Sequence, residues 1–296
     1  MRRPPSGCHL LFFLLSPLSA VAQNFAPLDF SHSVQTPNAI YPAGYSRIGP
    51  AYYNQPTIDF LNVTTMGGQA IDARLSVTNV SGNYVLDGWV PYYNGPVTGT
   101  SNDIYPDNQL ESDRGDDLGI FYHSLESSME NVGGLSWTLT FYQGGGLFQD
   151  TVVLDSIALL LYDHDGEPGQ SEALRTHVSD GFAGYMVRND SGILAADEGS
   201  SFLFQAGGIG KSELTSAGGI ILNYRNVDSL RIDMLATTSP GIPYTSSGIL
   251  LAIDGDLDLV NPADFGAYVA VPEPGPAAMA GTALALMLLR RHRRNG

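Results

Sequence analysis

Apolar and polar residues alternate with a period of two in several stretches of this chain. Leu135, Trp137, Leu139 and Phe141 alternate with Ser136, Thr138, Thr140 and Tyr142. That spacing predicts a strand with one face in a core and a threonine-rich face in solvent. Gly144-Gly145-Gly146 ends it. Ala73, Leu75 and Val77 alternate with Arg74, Ser76 and Thr78, and Leu230, Ile232 and Met234 with Ser229, Arg231 and Asp233. Thr151–Tyr162 is apolar on both faces apart from Asp155 and Ser156, as expected of a strand central in a sandwich. Further strands are predicted at Thr57–Thr65, Phe182–Val187, Ser201–Gln205, Gly219–Tyr224, Ser229–Leu235 and Gly248–Ile253. Residues 91–117 read as a long loop. Leu118–Met129 leaves two readings open, a short helix after Asp116-Asp117 or a strand with irregular edges. No segment before residue 275 has a capped helical period.

Strands recurring at intervals of about 10–20 residues between Gly/Asn/Asp turns predict an all-β fold, a single β-sandwich of jelly-roll type. No repeat or break in composition divides it. The expected organisation is a signal peptide over 1–22, an irregular Pro- and Tyr-rich arm over 23–56, the sandwich ectodomain over 57–270 and a C-terminal segment over 271–296.

Both ends carry export features. Arg2 and Arg3 precede an apolar run from Leu10 to Leu18, and Ala20-Val21-Ala22 follows. Small residues at Ala20 and Ala22 predict a secretory signal cleaved after Ala22, which makes the secretion translocon and signal peptidase partners. Cleavage would remove Cys8, the chain's single cysteine, so no disulfide is expected in the mature protein. At the other end Val271-Pro272-Glu273-Pro274 leads into an apolar run over 275–289, followed by Arg290, Arg291, His292, Arg293 and Arg294. As a helix that run would be roughly 22 Å long against a hydrocarbon core of about 30 Å, with arginine side chains snorkelling to cover the difference. The arginines predict a cytoplasmic end and an external body.

Pro272-Glu273-Pro274, the short apolar segment and the arginine cluster together resemble the PEP-CTERM sorting signal of bacterial surface proteins. The Leu-Pro-x-Thr-Gly motif of sortase substrates is absent. The resemblance implies a membrane protease-transpeptidase, an exosortase, as partner, with processing near the motif. It implies an inner-membrane-anchored precursor whose ectodomain lies outside the cytoplasm and which then passes to the cell surface or extracellular matrix. It also implies a Gram-negative-type envelope and an exopolysaccharide setting, but no particular activity. The run from Leu159 to Gly169, an apolar strand entering an acidic loop, resembles the β-rich ectodomains on such proteins.

Charge narrows the partners. Residues 23–270 hold 29 acidic and 8 basic side chains, a net charge near −21. Such a surface repels nucleic acid, which is excluded as a partner. It is compatible with divalent cations, with neutral sugars and with plain solubility.

Two acidic loops are candidate calcium sites. Asp163, Asp165 and Glu167 alternate around Gly166, and Asp254, Asp256 and Asp258 follow the last predicted strand. Oxygen ligands at such spacing suit Ca²⁺, although neither loop has the EF-hand order of Gly and Glu. The alternative for both is a solvated acidic turn. Catalytic patterns are sparse. There is no His-Glu-x-x-His and no Gly-x-Ser-x-Gly, and Gly207–Ser212 reads as a hairpin turn rather than a phosphate loop. Tyr52, Tyr53, Trp89, Tyr92 and Tyr93 sit among Pro, Gly and Asn, where rings either stack on sugars or anchor loops. The sequence therefore reads as an exported, surface-sorted structural or interaction protein without catalytic activity. The alternative is a lectin-like module aided by calcium, and a further alternative is a carboxylate-pair glycan hydrolase.

Overall fold

The computed structural model describes residues 25–30, 33–35, 57–91, 118–162, 164, 166, 168–207, 218–242, 248–257 and 260–271. The predicted signal peptide, the loop over 92–117 and the apolar run over 275–289 lie outside them. Among the described residues no helix is long and apolar enough to cross a membrane.

The strands in chain order are β1 Ser33–Gln35, β2 Thr57–Met66, β3 Gln69–Ser81, β4 Tyr84–Pro91 and β5 Leu118–Ser124. β6 Asn131–Gln143, β7 Leu154–Tyr162, β8 Gln170–His177, β9 Phe182–Val187 and β10 Leu194–Asp197 follow. The last are β11 Ser201–Gln205, β12 Ile220–Val227, β13 Ser229–Thr238, β14 Gly248–Asp254 and β15 Val269–Ala270. They form two antiparallel sheets. The larger has the order β1-β2-β3-β6-β13-β8-β11-β10, the smaller β15-β9-β12-β7-β14-β5-β4.

Eight of these strands pair like a long hairpin folded over on itself. β5 pairs with β14 and β7 with β12 in the smaller sheet, while β6 pairs with β13 and β8 with β11 in the larger. Successive strands from β5 to β8, and again from β11 to β14, alternate between sheets, which is the wrapping of a jelly roll. The inner faces share one core. Leu75, Trp137, Leu139 and Ile232 come from the larger sheet, and Ile120, Leu159 and Leu222 from the smaller.

β7 explains its own unbroken apolar sequence. It lies between β12 and β14, with Ile157, Leu159 and Leu161 in the main core. Ala158, Leu160 and Tyr162 face the opposite side, where Ile221, Ala252 and Phe265 join them. Phe25, Leu257 and Val260 pack over that second cluster, so chain segments from both ends of the domain cover the outer face of the smaller sheet.

Several sequence expectations change. Leu118–Ser124 is a strand, not a helix, because its residues pair with β4 and β14. β7 begins at Leu154 rather than Thr151, which makes only an isolated bridge to Tyr142. Gln170-Ser171-Glu172, where no strand is predicted, opens β8. Its alternation was masked because the inward row contains Gln170, Glu172 and Thr176. β4 carries a register shift between Leu86 and Gly88, which breaks its period. β10 is an edge strand with every residue exposed, so no core face marks it. One glycine is dictated by packing. Gly134 has φ 141°, and a Cβ there would fall 1.9 Å from the Met234 carbonyl oxygen on the neighbouring strand.

Candidate functional site

The outer faces of the two sheets differ in kind. The smaller sheet is covered by the domain's own chain, whereas the larger presents a polar face built from the alternate positions of β2, β3, β6, β13 and β8. Register places Asp59 opposite Arg74, Arg74 opposite Thr140, Arg231 opposite Thr138, and Asp233 opposite both Ser136 and Arg175. Three of the body's eight basic residues therefore stand on one face of an acidic protein.

Each of the three is matched to a carboxylate. Arg74 donates from Nε to Asp59 Oδ1 at 2.6 Å and from a terminal nitrogen to Oδ2 at 2.8 Å. Its guanidinium also lies 4.7 Å from the Phe148 ring centre, and Phe148 meets Tyr142 edge-on at 5.7 Å. Buried Asp72 holds the surrounding loops, accepting from the Asn62 N–H at 2.9 Å and the Gly146 N–H at 2.7 Å. Further along, Arg231 Nε donates to Asp233 Oδ1 at 2.9 Å, and His177 Nε2 lies 3.1 Å from Asp233 Oδ2. Burial alone would raise the Asp233 carboxyl, but hydrogen bonds from Arg231, Ser136 and His177 outweigh it and hold it below the usual range. Arg175 grips Glu198 at 2.8 and 3.2 Å, and Ser201 Oγ donates to the same carboxylate at 2.7 Å. Beside this strip is a shallow groove of about 240 Å³, with Val132, Gly133, Ser171, Ala173, Leu203 and Leu235 among its lining. The face thus combines fixed charge pairs, hydroxyls and a small apolar depression.

The residues nominated from sequence fall elsewhere. Asp254 is buried, and its Oδ1 accepts from the N–H groups of Asp256 at 2.9 Å and Leu257 at 2.7 Å, closing a turn. Asp163, Asp165, Glu167 and Asp258 lie outside the described residues. Among those described, no three His, Cys, Asp or Glu side chains are grouped as a metal set. Trp89 occupies β4 opposite Ile120; its side chain, like Tyr52, Tyr53, Tyr92 and Tyr93, lies outside the described residues. So do Ala20, Ala22 and the sorting residues beyond Val271. The Arg–carboxylate strip was visible only in part. Arg74, Arg231 and Asp233 sit on the polar side of alternating strands, but only strand order brings Arg74 to Asp59 and His177 to Asp233.

No protein-family model matches the chain, and no curated protein matches it. Among solved structures, the chain is similar to the N-terminal domain of the Streptococcus gordonii adhesin Sgo0707, with a TM-score of 0.43 and 10% identity over 80% of this chain and 64% of that one. It is also similar to the adhesin domain of PrgB from Enterococcus faecalis, with a TM-score of 0.35 and 13% identity over 67% of this chain and 62% of that one. The chain thus spans less than two thirds of either structure.

Proposed function

We propose that the protein is an exported, cell-surface-sorted structural or interaction protein of an extracellular matrix, with its tail processed by an exosortase. One observation carries the reading: Pro272-Glu273-Pro274, an apolar run of membrane type and four arginines follow one another over 272–294. The N-terminal run ending in Ala20-Val21-Ala22 supports the same orientation. In this reading the body is non-catalytic. It presents the polar outer face of its larger sheet to neighbours in the matrix, extracellular polysaccharide among them.

The test is replacement of Pro272, Glu273 and Pro274 by alanine in the producing cell, followed by fractionation and intact-mass measurement. The variant is expected to keep its tail and stay with the inner membrane, while the wild type loses the tail and reaches the surface. Identical masses and locations for the two proteins would overturn the reading.

A further inference from the structure

The last described strand is also the one next to the sorting motif. β15 lies at the edge of the smaller sheet with Val269 opposite Tyr185 and Ala270 opposite Gly184. Two further bonds converge on one acceptor. The Val271 N–H and the Tyr268 hydroxyl each donate to the Ala183 carbonyl at 2.9 Å. Tyr268 sits over Gly184 so closely that a Cβ there would fall 2.3 Å from its hydroxyl oxygen and 2.5 Å from the Val269 carbonyl oxygen. Gly184 is therefore the seat on which this segment rests.

The seat holds its occupant lightly. Tyr268 is 41% exposed and Val269 43% exposed, and within the segment only Val271 packs against the main core, so docking removes little apolar surface from water beyond that one side chain. Asn223, opposite Gly184 on β12, is buried beside the seat. Its Nδ2 makes a long 3.4 Å bond to the Gly184 carbonyl, and its Oδ1 has no hydrogen-bond partner among the described residues. A buried acceptor left without a donor favours the arrangement that lets water in.

The sorting motif begins immediately after this docked segment. Three residues lie between Val271 and Gly275, so the reach from one to the other is at most about 14 Å at about 3.5 Å per residue. Enzymes that take a peptide as an added strand need its backbone groups free. Here the groups just before the motif are committed to β9.

We propose that residues 268–271 form a latch. The outer edge of β9 is a strand-binding slot filled by the chain's own C-terminal segment, and tail processing draws on the fraction of molecules in which the slot is empty. The inference rests on reading 271–294 as a processed sorting signal. Cleavage in such a system follows the open population, provided opening and closing are fast.

Two measurements separate the latch from that reading. The first is limited proteolysis of the detergent-solubilised full chain by an added broad-specificity protease, scored at bonds between residues 266 and 275. Gly184→Ala, whose new methyl displaces Tyr268, and Tyr268→Ala, which leaves the body untouched, should each speed cleavage about tenfold. A Tyr185→Cys/Val269→Cys pair joins directly opposed positions, within disulfide reach. When oxidised it should slow cleavage about tenfold relative to the same protein reduced. Equal rates across wild type, both loosened variants and both redox states would overturn the latch. The second measurement is tail removal in the producing cell. If the latch variants order as expected under added protease but the cell never removes the tail, the processing reading fails and the latch stands. If the cell removes the tail at one rate from all variants, the latch has no part in processing.

Discussion

The hydroxyl oxygen of Tyr224 lies 2.7 Å from Thr176 Oγ1, joining β12 of the smaller sheet to β8 of the larger across the core. A second tie of the same kind joins Tyr84 on β4 to Thr238 on β13 at 2.9 Å. Thr176 is level with Ile232 on β13, six residues from Thr238. The two ties are therefore about 20 Å apart along the sheet at roughly 3.3 Å per residue. Both tyrosine hydroxyls are pushed up in pKa, chiefly by burial, so they stay protonated and neutral throughout the working range.

Tyr224→Phe should cost about 1–3 kcal/mol, because it leaves the buried Thr176 hydroxyl without this partner. Tyr84→Phe should cost at least as much, since the same Tyr84 hydroxyl also donates a longer 3.3 Å bond to the Asn131 carbonyl, which is lost with it. At their separation the two effects should add within about 0.5 kcal/mol. Urea denaturation of the two single variants and the double variant checks this. A clearly sub-additive double variant would mean that the sheets lose contact together once either tie is cut.

The Arg74–Asp59 pair makes a different prediction, because Asp59 is nearly buried and Arg74 is one-third exposed. Arg74→Met keeps an apolar stem against Phe148 but strands the carboxylate, at an expected cost of about 2 kcal/mol. Adding Asp59→Asn removes the stranded charge and should recover part of the loss. Thermal unfolding of both variants at low and high salt is the check. A double variant no better than Arg74→Met would show that the guanidinium acts through its ring contact, not its charge.

Asp254 tests the calcium expectation from a residue whose geometry is known. Its Oδ1 already serves two backbone N–H groups, in a turn where Leu257 has φ 66°. Asp254→Ala should lower stability by about 2 kcal/mol through loss of those bonds, whether EDTA or millimolar Ca²⁺ is present. The readout is Tm under the two conditions. A rise in Tm with Ca²⁺ that the wild type shows and the variant lacks would make Asp254 a ligand instead.

The alternating strands were legible in sequence because one row of each faces the common core. Leu135, Trp137, Leu139 and Phe141 are all buried, and each of them could be assigned from its period alone. β8 was not legible, because its inward row spends Glu172 and Thr176 on polar partners inside the sandwich. Nor was β10, which has no buried row at all. The candidate face was harder still. Ser136, Thr138 and Thr140 announced a solvated side of β6, but the Arg231–Asp233–His177 group is assembled by β13 pairing with β8, whose residues are more than fifty positions apart. Local pattern cannot report such a pairing.

His164 gives the sharpest dependence on pH. It follows β7 directly and is buried, with its Nε2 donating to the Phe204 carbonyl at 2.9 Å. The donor must be Nε2–H, since a carbonyl only accepts, so the neutral ring turns an unprotonated Nδ1 toward Glu172 Oε2 at 3.8 Å. At neutral pH this is not an ion pair. Burial dominates and lowers the imidazole pKa from 6.5 to about 4, against a smaller upward pull from the Phe204 bond. The sign follows from proton binding. Between those two values the unfolded chain takes up a proton that the folded chain refuses, so the contribution is full above pH 6.5 and lost as pH falls through about 4. A shift of this size corresponds to about 3 kcal/mol. His164→Gln retains an N–H donor for Phe204 and does not titrate. Denaturation midpoints from pH 7 to pH 4 should therefore fall more steeply for the wild type than for the variant, by about 3 kcal/mol over the interval. Parallel curves would mean that the ring takes up its proton over the same pH range folded and unfolded, and a shallower fall for the wild type would mean that it is protonated in the fold and paired with Glu172.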